Sequence, residues 1–142
     1  VCAGAYLASS DYPWSLHILN ARVVDKKHWA RGTGTVVLKV TEKGRELFGA
    51  ESEQFMIHYG QGPLLGRGEH PGLPEFDVLA SYDSEIAKKG APEGVMKGTT
   101  AIASGRFGSG RVFCFSPHPE KTDGLGWLVQ RAVCWVGEGE GD

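Results

Sequence analysis

The stretch TTAIASGRFGSGRVFCFSPHPE, residues 99–120, weighs most on the fold. Two apolar segments flank Gly108-Ser109-Gly110, a turn that joins strands into a hairpin. The second segment, RVFCFS, is almost continuously apolar, so both of its faces are expected to be covered. It runs straight into Pro117-His118-Pro119-Glu120. A phosphate-binding loop is a poor reading of GRFGSGR, residues 105–111, because the lysine and the following helix are absent.

Working outward, DGLGWLVQRAVCWV (123–136) reads as a closing helix. Leu125, Leu128, Val129, Ala132 and Trp135 share one side at helical spacing. Upstream, FDVLASYD (76–83), RGTGTVVLKVT (31–41) and ARVVD (21–25) read as strands. QFMIHYGQGP (54–63) reads as a strand running into a glycine loop. LLGRGEHPGLPE (64–75) is expected to be loop, as is DYPWSLHILN (11–20). TEKGRELFG (41–49) is a short helix capped by Thr41 and closed by Gly49. No repeat and no linker interrupts the chain, so 142 residues form one domain large enough for a core.

Fifteen basic and seventeen acidic residues give a net charge of −2. That balance favours neither nucleic acid nor an anionic membrane as partner. No apolar run approaches the ~20 residues of a membrane span. The acidic tail GEGEGD (137–142) reads as a frayed, solvated end. Twenty-one glycines exceed the average usage of ~7% and mark many tight loops. Cys2, Cys114 and Cys134 show no zinc-ligand spacing, and neither a metal nor another cofactor is expected. So sparse a cysteine set argues against a disulfide framework and for a reducing, cytoplasmic compartment.

Chemistry concentrates at the two ends. Proline fixes its own φ and pushes the preceding residue out of the helical region, so His118 is expected in an extended conformation. Residues i and i+2 of an extended chain point the same way, roughly 6.5–7 Å apart at Cα, which lets Glu120 reach the His118 imidazole. A carboxylate there fixes the tautomer and stabilises the imidazolium. The plainer alternative is a proline-rich strand exit with a surface histidine. Cys2, in VCAGAYLAS (1–9), tilts the choice. A thiol at a helix start near an imidazolium is activated as a nucleophile. The small Ala3, Gly4 and Ala5 suit a tight strand-to-helix turn, and the Ala3 N–H is one expected oxyanion donor. The alternative for Cys2 is a buried, inert side chain.

CAGAY together with GRVFCFSPHPE resembles the class I glutamine amidotransferase-like superfamily, in the form of the biotin–protein ligase N-terminal domain. The resemblance extends through HWARGTGTV and HYGQGPLL. It implies a flavodoxin-like α/β fold, a mostly parallel sheet flanked by helices. It also implies Cys2 as nucleophile, His118 as base and Glu120 as its orienter, acting on a small-molecule amide or acyl substrate. Working amidotransferases of this superfamily carry a glutamine where this chain has Tyr6, which puts glutamine hydrolysis in question. The family also places several strands before the nucleophile. The chain is therefore expected to be an N-terminally truncated domain of low activity, with another domain or chain supplying the missing strands. A non-catalytic amidotransferase-like binding or regulatory module is the competing expectation.

Two further clusters complete the candidates. Tyr59, Gly60, Gln61 and Gly62 lie where a strand meets a glycine loop, a usual place for ligand contacts in open α/β sheets, and are taken as substrate-binding. HWARGTG (28–34) offers an arginine fork for a carboxylate, the alternative being a surface loop with its tryptophan tucked inward. Cys114 and Cys134 are expected in the core.

Overall fold

The computed structural model describes residues 1–49 and 51–138; residues 139–142 of the acidic tail lie outside the described residues. In chain order the elements are α1 (Ala3–Ala8), β1 (Ala21–Val24), β2 (Thr33–Val40), α2 (Glu42–Phe48), β3 (Gln54–Gly60), β4 (Leu64–Arg67), β5 (Asp77–Tyr82), β6 (Thr100–Phe107), β7 (Gly110–Phe115) and α3 (Trp127–Glu138). Short 3₁₀ turns span Lys26–His28 and Pro119–Lys121.

The strands form one sheet in the order β1-β4-β6-β5-β2-β3, with β7 added on β6. Every pairing between these strands is antiparallel. The flavodoxin-like, mostly parallel sheet implied by the resemblance is therefore incorrect. The connections show why. Parallel neighbours need a crossover of about a dozen residues or more, whereas β6 and β7 meet through Gly108 and Ser109 alone, with Gly108 at φ 58°. A non-glycine residue enters that left-handed region only under strain. Even the longer excursion through α2 brings β3 back along β2, from Thr33↔Gly60 to Lys39↔Gln54.

The burial pattern agrees. In β3, Phe55, Ile57 and Tyr59 are buried while Gln54 and Met56 face solvent. One wet face per strand is the habit of antiparallel sheets; parallel sheets are covered on both. The main core gathers Val36, Leu38 and Val40 of β2, Ile57 and Tyr59 of β3, Leu79 of β5 and Ile102 of β6. Leu128 of α3 closes it with no exposed surface, and burying a leucine contributes about 2 kcal/mol. A second cluster joins Ala5 and Ala8 of α1 to Leu65, Phe76, Ala103 and Cys114.

Local signals that were legible hold their places. Thr41 caps α2 by accepting the Gly44 N–H at 3.0 Å, and Gly49 ends the helix in a left-handed conformation. In α3, Leu128 and Ala132 are buried, whereas Cys134 is exposed rather than in the core. Cys134 lies on the solvent side because the core contact of α3 is narrow, with Val133 also exposed. The segment expected as loop after residue 63 begins with strand β4, paired to β1 from Ala21↔Arg67 to Val24↔Leu64. No helix is long and apolar enough to cross a membrane among the described residues.

Candidate active site

Strand β7 builds the site from one side. Its last carbonyl, on Phe115, accepts the backbone N–H of Cys2 at 2.7 Å. That bond seats Cys2 at the end of the hairpin, directly before α1. Cys2 takes φ 49° and ψ −104°, a region that a residue with a Cβ enters at a cost of about 1–3 kcal/mol. Such strain persists where the surroundings over-determine it, and the site does so here. The Cys2 carbonyl accepts the Ala5 N–H at 2.8 Å, and the Val1 carbonyl accepts the Gly4 N–H at 2.9 Å. The crowding expected around this turn falls on Ala5 alone, which is fully buried. Gly4 has open space where a Cβ would stand.

The Cys2 thiol points at the Gly60 carbonyl, with Sγ to O 3.5 Å. His118 approaches the same glycine. A Cβ on Gly60 would stand 3.2 Å from both Nε2 and Cδ2 of His118. Sulfur and imidazole thus converge on Gly60, the last residue of β3. A side chain at that position would press on the imidazole, which would have to shift by a few tenths of an ångström.

His118 Nδ1 lies 2.8 Å from Glu120 Oε2, the pairing expected from the sequence. The route differs. His118 is out of the helical region at φ −113°, but Pro119 opens a 3₁₀ turn that brings the carboxylate back, in place of an extended i, i+2 approach. With Nδ1 assigned as donor to the carboxylate, Nε2 is left with its lone pair for a proton.

Two contributors were not anticipated. The Thr122 hydroxyl donates to the His118 carbonyl at 2.8 Å and accepts the His58 N–H at 3.0 Å. It ties the His-Pro-Glu turn to β3, where the His118 N–H also donates to the His58 carbonyl at 2.8 Å. His58 itself stands 5.9 Å from His118 between ring centroids. Sequence spacing holds no hint of either, because residues 58 and 122 are far apart in the chain and are brought together beside the isolated bridge between His58 and His118.

Electrostatics set the resting state. Burial pushes the Cys2 thiol above its ordinary value; a hydrogen bond from the Ala3 N–H works the other way without prevailing, and the Glu120 charge adds to the rise. The free thiol is thus the neutral S–H form. Burial therefore opposes the lowering of the thiol expected from the sequence. Burial also works against the Glu120 carboxylate, but the hydrogen bond from His118, with its charge and that of Lys121, holds it below the usual carboxylate range.

A cleft of about 560 Å³ opens beside the sulfur, its wall including Cys2, Ala3, Tyr6, Gly60 and Gln61. Tyr59 and Gly62 are not part of that wall. Tyr59 is buried with its hydroxyl donating to the Gly62 carbonyl at 2.8 Å. Gly62 lies against Ser116, whose carbonyl would stand 1.9 Å from an added Cβ. Both support the loop instead of lining the cleft. Tyr6, in the place of the amidotransferase glutamine, donates to the Gln61 carbonyl at 2.9 Å and so fastens α1 to that loop.

Arg31 does not offer an open fork. It is buried and bound to Asp25 at 2.7 Å, and Asp25 also takes His28 at 2.8 Å. The carboxylate expected from a ligand is supplied by the chain itself. Trp29, expected to tuck inward, is exposed along the cleft. Cys114 is buried, which pushes its thiol up to about 11. Among the described residues no three His, Cys, Asp or Glu side chains gather to hold a metal ion.

No family model, curated protein or solved structure matches this chain.

Proposed function

We propose that this chain performs acyl or amide chemistry through a thioester on Cys2, with an amidotransferase-like Cys-His-Glu arrangement carried on an antiparallel sheet. The observation that carries the proposal is the convergence on Gly60. Cys2, in a strained backbone conformation at the edge of an open cleft, sets its Sγ 3.5 Å from the Gly60 carbonyl, and the carboxylate-bound imidazole of His118 lies against the same glycine. Strain at a non-glycine residue clusters at functional sites.

The steps follow from the electrostatics. Because the resting thiol is neutral, His118 Nε2 takes its proton as Sγ attacks the substrate carbonyl. Glu120, already ionised, balances the imidazolium that forms. In this reading the Ala3 N–H serves as one donor to the developing oxyanion. Collapse expels the amine or alcohol, which leaves with the proton from His118, and water or another nucleophile then releases the acyl group. The raised thiol also favours a second reading, a non-catalytic amidotransferase-like module that only binds a ligand in the cleft.

A burst assay with p-nitrophenyl acetate, followed by intact-mass measurement, separates the two. With the exposed Cys134 replaced by serine in every protein tested, the catalytic reading expects one acetyl group per chain on Cys2, none on the Cys2→Ala protein, and acylation slowed by about 10²–10⁴-fold in His118→Gln. Equal acylation rates for His118→Gln and the wild type would reject it and leave the binding module.

A further inference from the structure

We infer that the cleft beside Cys2 recognises a flat, apolar carbonyl compound, an aryl ester or amide, and not a charged amino acid such as free glutamine. The inference rests on the Cys2 chemistry above for its reaction and on the cleft alone for its ligand.

The far wall of the cleft is aromatic. Trp14 and Trp29 line it and are 57% and 54% exposed. Two large indoles left in water on one concave surface mark a binding site more than a folding need. Tyr12 lies parallel to Trp14, with centroids 4.5 Å apart and an interplanar angle of 14°. Lys26 stands 4.9 Å from the Tyr12 centroid and is itself paired to Asp11 at 2.8 Å. The Tyr12 ring is thus set before any ligand arrives, and it presents Trp14 in a fixed orientation. Rigid aromatic faces suit a flat partner, through burial of area and stacking.

Charge is missing where an amino acid would need it. Among the described residues, no Lys, Arg, Asp or Glu lines the cleft. Free glutamine brings an ammonium and a carboxylate, and desolvating either without a partner is costly. Arg31, two residues after Trp29, is buried and paired with Asp25 inside the protein. The polar side-chain groups of the lining residues are uncharged: the thiol, the Gln61 amide, the Tyr12 hydroxyl, the Trp14 and Trp29 indole N–H groups, and a Tyr6 hydroxyl already committed to the Gln61 carbonyl. A largely apolar cavity with a few polar groups near one end orients a ligand by its one polar function, here the carbonyl. In the reaction a C–S bond forms at the acyl carbon, the bond to the leaving group breaks, and the thiol proton passes through His118 to that group.

The test uses 2-naphthamide as ligand and the Cys2→Ala protein as receptor, so that binding is read without chemistry. Calorimetry and tryptophan fluorescence are expected to show binding of 2-naphthamide and none of glutamine at equal concentration. Trp14→Ala and Trp29→Ala are each expected to weaken it about tenfold. Both indoles are exposed, and circular dichroism checks that the variants stay folded. Unchanged affinity in both variants, or glutamine bound as tightly as naphthamide, would overturn the inference. Acetylation of Cys2 without naphthamide binding overturns it and leaves the catalytic reading standing. Tryptophan-dependent naphthamide binding without any acyl-enzyme from p-nitrophenyl 2-naphthoate sustains the ligand class and removes the catalysis.

Discussion

Replacing Cys2 by glycine should stabilise this protein relative to replacing it by alanine. The usual order is the reverse, since glycine loses more backbone freedom on folding, by about 0.5–1 kcal/mol. At Cys2 the native φ of 49° and ψ of −104° changes the sign. These angles lie close to the mirror image of the ordinary extended region, which glycine enters as readily as its normal counterpart. Any residue with a Cβ carries about 1–3 kcal/mol of strain there. Subtracting the glycine entropy leaves Cys2→Gly ahead of Cys2→Ala by about 1 kcal/mol, or roughly 3–4 °C in Tm for a domain of this size. The side-chain contribution cancels, because both variants lack the thiol and its 3.5 Å contact with the Gly60 carbonyl. Urea denaturation of the two variants, fitted with a common m-value, reads the difference directly. Alanine more stable than glycine by 0.5 kcal/mol or more would mean that the turn carries no strain. Backbone strain would then no longer single out Cys2.

Three other outcomes are expected. Asp25→Asn should destabilise by about 3 kcal/mol in chemical denaturation, because it strips the carboxylate from the buried Arg31; Arg31→Met should cost less. The hydrogen bond from His28, with the charges of His28 and Arg31, holds Asp25 below its ordinary value. A depressed carboxylate stabilises above its unfolded value, and that stability is lost as the pH falls through the folded one. Wild-type stability should therefore drop on acidification below the usual carboxylate range, and the Asp25→Asn protein should drop less. Gly62→Ala should cost at least 2 kcal/mol, since its Cβ would meet the Ser116 carbonyl at 1.9 Å and that backbone leads into His118; melting curves measure it. Finally, the rate of Cys2 alkylation by iodoacetamide should rise with pH along a limb displaced above that of a free thiol, because burial favours the S–H form. A limb at or below the free-thiol position would contradict the neutral ground state.

Much of the site was legible from residue types at short range. Pro117-His118-Pro119-Glu120 sets its histidine–carboxylate pair within a few residues, so local stereochemistry sufficed, although the link is made by a turn rather than an extended chain. The same holds for Thr41 and Gly49 around α2 and for the two-residue hairpin loop. Strand direction was not legible in the same way. The resemblance carried a parallel sheet with it, while the exposed Met56 and Gln54 of β3 already alternate as a half-wet antiparallel strand does. Strand β4 escaped because Leu64–Arg67 is short, contains Gly66 and is defined by pairing with distant β1. Nor could spacing reveal that Trp14 and Trp29 share a cleft with Cys2, since chain folding alone brings the three segments together.

The bond from the Cys2 amide to the Phe115 carbonyl has a kinetic corollary. On the outer side of β7, which pairs with no strand but β6 among the described residues, that contact stands without neighbouring rungs. An isolated rung opens more cheaply than a ladder. Denaturant well short of the global transition should release the cysteine from its seat while the remaining sheet stays intact. Deuterium uptake at that one amide would then track the lifetime of the seated Cys2 more closely than any global melting temperature.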